Sequence, residues 1–184
     1  MGRYVAFLRG INLGKRRVTG EQLCTAFRGL GFSDVHSFLA SGNVVLAADG
    51  DNDVHEISLC IETGLQAALG YPVLTFLRTE AQLGEIVARA PFSPAELDRS
   101  AGKLQVIVLR DEPTRDQTAA ALEHASDDDR LALLGGELHW LPAGNMSQSE
   151  LDLDALARLL GPTTIRTTNT MARLHARYFA EGSP

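Results

Sequence analysis

Two cysteines, one tryptophan and two lysines occur among 184 residues, and aromatic residues make up only 6%. Cys24 and Cys60 belong to no C-x-x-C pair, and no histidines cluster near them. That excludes a disulfide framework and a zinc motif, and predicts small buried thiols within helices. His36, His55, His124, His139 and His175 show no ligand spacing, so no metal and no cofactor is expected. No apolar run approaches the ~20 residues of a membrane span. The first apolar stretch, residues 4–8, is shorter than a signal-peptide core of about 7–15 residues. Position 6 is Ala, so Met1-Gly2 lacks the downstream hydroxyl of a myristoylation signal. The expectation is a cytoplasmic protein with no membrane partner, and nothing sets an oligomeric state. Arginine outnumbers lysine 15 to 2 in a chain rich in alanine and leucine. That bias fits a GC-rich genome, so arginine identity alone says little about function.

What is present is a polarised charge. Residues 1–20 hold Arg3, Arg9, Lys15, Arg16 and Arg17 and no acid. Residues 155–180 hold Arg158, Arg166, Arg173 and Arg177, again with no acid. The stretch 21–154 carries 8 basic residues against 22 acids, and the whole chain has a formal charge of −6. If folding brings both ends together, an acidic protein gains one cationic face suited to anions.

The apolar pattern predicts a strand over 4–8 and then a glycine-bearing basic loop over 9–18. Thr19 with Gln22 forms a capping box that opens a helix ending near Gly31. Residues 34–40 and 44–48 read as a hairpin turning through Ser41-Gly42-Asn43. A helix over 52–69, a strand from Val73 to Leu77 and a helix from Thr79 to Arg89 follow. The Pro- and Gly-containing stretch 91–102 reads as a linker between subdomains 1–90 and 103–184. Beyond it come a strand over 104–109, a helix from Pro113 to His124 and a hairpin around Gly135-Gly136. A capping box at Ser147 and Glu150 opens a helix to Gly161, followed by a strand over 163–167. The last helix runs from about Asn169 to Ala180, capped by Thr168 or Asn169. Both halves thus repeat one order of elements, without residue identity. The fold class predicted is α+β: two ferredoxin-like βαββαβ subdomains with antiparallel sheets, each followed by an extra helix.

Three polar segments are candidate sites. Gly10 to Lys15 follows a strand and precedes a helix, but is one residue short of a P-loop. Arg16 also stands where the magnesium-binding hydroxyl belongs, which argues against a nucleotide triphosphatase. Its glycines could still aim backbone N–H groups at an anion beside Lys15, Arg16 and Arg17, or could simply serve a turn. Ser41, Gly42 and Asn43 divide the same way between a tight turn and a ligand grip. Arg166, Asn169 and Thr170 sit at a helix start, where plain capping competes with an anion pocket. Asp127-Asp128-Asp129 lacks the rest of a calcium loop and reads as a solvated turn. Trp140, on a strand beside His139, reads as core. The strand over 44–48 has no aromatic, which argues against an RNA-recognition surface.

The run Tyr4-Val-Ala-Phe-Leu-Arg-Gly-Ile-Asn-Leu-Gly14, Leu30-Gly31-Phe32 with Asp34-Val35, and Ser41-Gly42-Asn43-Val44-Val45 resemble the bacterial domain-of-unknown-function 1697 family. Arg166-Thr-Thr-Asn169-Thr170 followed by Leu174 is similar to that family's Arg-Asn-x-Asn-Thr-x-x-x-Leu ending. Here Thr167 replaces the first Asn and Thr168 the usual aromatic. The resemblance spans essentially the whole chain. It implies an α+β protein of two related subdomains and implies no activity. It also groups Arg9, Asn12, Asn43, Arg166 and Asn169 into one recognisable pattern.

The leading expectation is a binding protein for an anionic or phosphorylated ligand, with nucleic acid among the candidates. Arg9, Asn12, Gly14, Lys15, Arg16, Ser41, Asn43, Arg166, Asn169 and Thr170 would line the cleft. An enzyme using the same cleft is the second reading, although no general base or activated nucleophile is evident. An interaction module, with Arg9 and Arg166 buried against acids such as Glu137 or Asp152, is the third.

Overall fold

The structure, a computed structural model, describes residues 1–12, 14, 16–40, 42–49 and 53–180. The chain divides into one unit of residues 1–85 plus the stretch from Leu174 onward, and a second of residues 86–173. The first boundary therefore falls after residue 85 rather than 90, and residues from Leu174 onward group with the first unit rather than with the second.

In the first unit, β1 (Gly2–Arg9), β2 (Ser33–Phe38), β3 (Asn43–Ala48) and β4 (Leu74–Thr79) form one sheet in the order β2-β3-β1-β4. Every pairing is antiparallel, and α1 (Gly20–Gly29) and α2 (Val54–Leu69) supply the crossovers. Helix α3 (Glu80–Ala88) follows. This is the predicted ferredoxin-like arrangement. The Thr19–Gln22 capping box forms as expected at the start of α1. Asp53 caps α2, whose first residue is Val54, so the helix starts after position 52, which lies outside the described residues.

The core follows from strand alternation. Tyr4, Ala6 and Leu8 face α1 and α2, where they meet Phe27, Ile57, Ile61 and Leu65. The intervening Val5 and Phe7 are fully buried on the opposite face. There Tyr178 stacks on His36 and meets Phe38 edge-on, and Arg3 lies over the Phe179 ring. Cys24 is buried, but Cys60 is exposed, contrary to expectation, because it lies on the outer side of α2.

The second unit contains α4 (Pro94–Arg99), β5 (Gln105–Leu109), α5 (Arg115–Leu122), β6 (Asp129–Leu134), β7 (Glu137–Pro142), α6 (Leu153–Leu160) and β8 (Thr163–Thr167). Its antiparallel sheet has the order β6-β7-β5-β8, the same topology. Helix α7 (Thr168–Tyr178) begins here and ends in the first unit. The expected linker instead holds α4, where Ser93 and Glu96 cap the helix reciprocally. Hydrogen bonds from Ser93 and the Arg130 guanidinium at 2.7 Å hold the Glu96 carboxyl down to about 2. The Ser147–Glu150 box does not form. Ser147 sits in a short 3-10 turn, and Asp152 caps α6 through the Ala155 amide. Thr114 caps α5, whose first residue is Arg115 rather than Pro113. Thr167 caps α7 by accepting from the Thr170 amide, in place of Thr168 or Asn169. Asp129 is no solvated turn residue: it is buried and accepts from Trp140 Nε1 and the Ser149 hydroxyl, each at 2.7 Å. Trp140 is fully buried as core.

Superposing the registers exposes a repeat at residue level that element order alone had not shown. Val5 pairs with Arg78 as Val106 pairs with Arg166. Both arginines are buried and donate to the carbonyl of the residue before them. Thr79 and Thr167 follow, and each caps the next helix. Likewise Phe7 pairs with Asn43 as Val108 pairs with Glu137, and both partners are buried polar residues.

Phe27→Ala should destabilise the protein by about 3–5 kcal/mol, because the ring is fully buried in the core and its loss would leave a cavity. Urea unfolding measures this. Cys60→Ser, on the exposed side of α2, should change it by no more than about 0.5 kcal/mol.

Candidate functional site

Strand β1 delivers Arg9 to the surface, and Gly10 and Gly14 turn the following chain through left-handed φ angles of 82° and 60°. Asn12 organises this loop. Its Oδ1 accepts from the Val18 amide at 2.7 Å, and its Nδ2 donates to the Ala40 carbonyl at 3.1 Å. The Tyr71 hydroxyl donates to the Ile11 carbonyl at 3.0 Å, tying the loop to the end of α2. Arg17 donates back to the carbonyls of Gly14 and Arg16. The loop is therefore held from three directions, which presents its basic side chains from a fixed base.

Arg16 is exposed, and its guanidinium lies 4.0 Å from the Tyr71 ring centroid. Beside it opens a groove of about 720 Å3 between the loop, α1 and the end of α2. Arg16, Arg17, Gln22, Thr25 and Glu21 give it polar groups, while Val18, Ala26, Ala68, Leu69 and the Tyr71 ring give it an apolar wall. Among the described residues of this lining, Glu21 is the one carboxylate, and no histidine or cysteine is present.

The expected site residues separate by exposure and by unit. Arg9, Asn12, Gly14, Arg16 and Asn43 belong to the first unit, and Arg166, Asn169 and Thr170 to the second. Lys15 and Ser41 lie outside the described residues. Asn43 is completely buried and donates from Nδ2 to the Phe38 carbonyl at 2.9 Å, so it braces the hairpin from within. Gly42 is required there, since a Cβ would stand 2.9 Å from Ile11 and 3.1 Å from Leu8. Arg166 is 9% exposed and donates to the Thr164 hydroxyl and the Ile165 carbonyl. Burial lowers its pKa to about 10, which leaves it charged at neutral pH. Thr170 is half-buried within the α7 cap, and Asn169 is exposed on the first turn. Tyr71 and Thr25 had no signal in the sequence, and Gln22 was marked there only as a helix cap. Tyr71 stands some 55 residues from the loop it supports and in no motif.

One buried group stands apart. His139 is fully buried on β7, and among the described residues neither ring nitrogen has a hydrogen-bond partner. Burial, aided by the nearby Arg89 charge, lowers its pKa to about 4. Arg89 itself pairs with the buried Glu137 at 2.5 Å.

The sequence pattern of the family described as "Protein of unknown function (DUF1697)" matches residues 1–139. The chain belongs to that family. Among solved structures it is similar to "conserved bacterial protein SP0830 from Streptococcus pneumoniae" at 22% identity, with a TM-score of 0.70. The match covers 96% of this chain and 97% of that one, and it carries the fold alone. No curated protein matches. Among the described residues no helix is long and apolar enough to cross a membrane, and no cluster of ligands could hold a metal ion.

Two outcomes are expected. Asn12→Ala removes that residue's two main-chain hydrogen bonds in the loop, should cost roughly 1–3 kcal/mol, and should speed hydrogen exchange at the Val18 amide. His139 binds its proton near pH 4 when folded but near 6.5 when unfolded. The unfolded chain therefore takes up more protons in that window, and stability falls as pH drops from about 6.5 to 4, by on the order of 2–3 kcal/mol. His139→Leu should flatten that part of a urea-unfolding series against pH.

Proposed function

We propose that this protein, acting in the bacterial cytoplasm, binds a small phosphorylated or otherwise anionic ligand at the Arg16–Arg17 end of the basic loop and in the groove beside it. The observation that supports this reading is the pinned loop itself. Asn12 and Tyr71 spend their hydrogen bonds on main chain, and the result holds two exposed guanidinium groups at the mouth of a 720 Å3 recess. A recess of that size suits a small molecule. Arginine suits phosphate because its planar fork of donors matches two oxygens at once.

Catalysis has less support, because among the described residues of the groove lining Glu21 is the one carboxylate. The interaction-module reading needs both Arg9 and Arg166 buried, whereas Arg166 is buried and Arg9 is exposed. Asn43 and Arg166 enter the proposal as internal supports rather than as ligand contacts.

Titration calorimetry with inorganic pyrophosphate at low salt tests the proposal. Binding should weaken at least tenfold in the double variant Arg16→Glu, Arg17→Glu, and should weaken as salt rises. Pyrophosphate binding that is absent, or unaffected by the double variant, removes the proposal. Tight binding of a single-stranded oligonucleotide with a steep salt slope would instead assign this face to nucleic acid.

A further inference from the structure

We infer that the ligand of this groove is a nucleoside monophosphate, with its base lying on the Arg16 guanidinium and its phosphate reached by Arg16 and Arg17. The inference rests on the anion-binding reading above and names the chemistry of the rest of the ligand.

The first argument is the state of Arg16. The Arg16 guanidinium makes no hydrogen bond and no ion pair with any described residue, and its recorded contact is the Tyr71 ring at 4.0 Å. It is exposed and lines the groove. A guanidinium is planar with two faces, so one face is spent on Tyr71 and the other suits a second flat group. Tyr71 is fixed in turn by its hydroxyl on Ile11, so the stacking platform is prepared before any ligand arrives.

The second argument is the composition of the groove. Bare phosphate would use the arginines but leave the apolar wall of Val18, Ala26, Ala68 and Leu69 unoccupied. A ligand charged throughout would meet Glu21, a carboxylate in the same lining. A phosphate joined to a flat body carrying hydrogen-bond donors satisfies both ends. Ribose hydroxyls or an exocyclic amine can donate to Glu21. Gln22 has its Oε1 held by the Thr19 amide at 2.8 Å, which leaves its Nε2 hydrogens for acceptors on the base. Thr25 adds a hydroxyl of either sense. An acyl phosphate would use the wall but none of these three polar groups.

The experiment is calorimetry on the full chain with ribose 5-phosphate and with AMP, GMP, CMP and UMP. At least one nucleotide should bind about tenfold or more tighter than ribose 5-phosphate, the gain expected from stacking one base. Arg16→Lys keeps the charge and removes the plane. It should bring that nucleotide to within threefold of ribose 5-phosphate, whose own binding should weaken by less than the nucleotide's because the charge is kept. Tyr71→Leu should act in the same direction, and Arg16→Lys, at an exposed position, guards against misfolding as the cause. If the nucleotides and ribose 5-phosphate bind equally and both are lost in the Arg16→Glu, Arg17→Glu variant, the base-stacking inference is overturned and the anion reading stands. A nucleotide preference that Arg16→Lys leaves intact also overturns it. If none of the five probes binds, both fall.

Discussion

Each sheet is organised by a central strand that is hydrogen-bonded along both edges and buried on both faces. Val5, Ala6, Phe7 and Leu8 on β1, and Val106 to Leu109 on β5, have essentially no exposed surface. A strand so enclosed has no room for an unpaired polar group, so every polar side chain near it must be tied to a partner or pushed to the strand's end. Asn43 and Glu137 take the first course beside their central strands. Arg78 and Arg166 do the same on the neighbouring edge strand, each turned onto its own backbone. Arg9 takes the second, leaving the sheet with the loop that follows. The basic loop sits where the apolar strand stops, and its position is a consequence of that burial.

The same constraint explains why residues that look alike in sequence differ in role. Arg16 and Arg166 are both arginines in polar segments. One rests on an exposed loop against a tyrosine ring, and the other is enclosed on an edge strand that repeats Arg78 of the first unit. The repeat argues that Arg166 supports the fold, because its counterpart stands in a segment with no polar motif around it. Asn12 and Asn43 likewise spend their amides on main chain. The turns they hold account for both residues, while the proposed ligand contacts come from less conspicuous positions.

Much of the architecture was legible along the chain. The alternation and apolar runs marked all eight strands, and the Thr19–Gln22 box marked a helix start to the residue. Where capping signals competed, reading failed: Ser147–Glu150 satisfied the pattern, yet Asp152 sits directly before the strongly amphipathic Leu153–Leu160 and took the cap. The stretch 91–102 looked like a linker because of its prolines, yet Pro94 is compatible with the first turn of a helix and Glu96 finds Arg130 across the fold. The residue repeat is not legible along the chain because the segments between matching strands differ in length.

Local chemistry along the chain determined the order of strands and helices, the two-part plan and the existence of a basic glycine-bearing loop, since periodicity, capping and turn preference act over a few residues. Tertiary structure alone decided which cations stay in water and which are enclosed, and that Tyr71 comes to lie under Arg16. Burial and stacking are set by whatever neighbour folding brings alongside, and for this site that neighbour stands some 55 residues away.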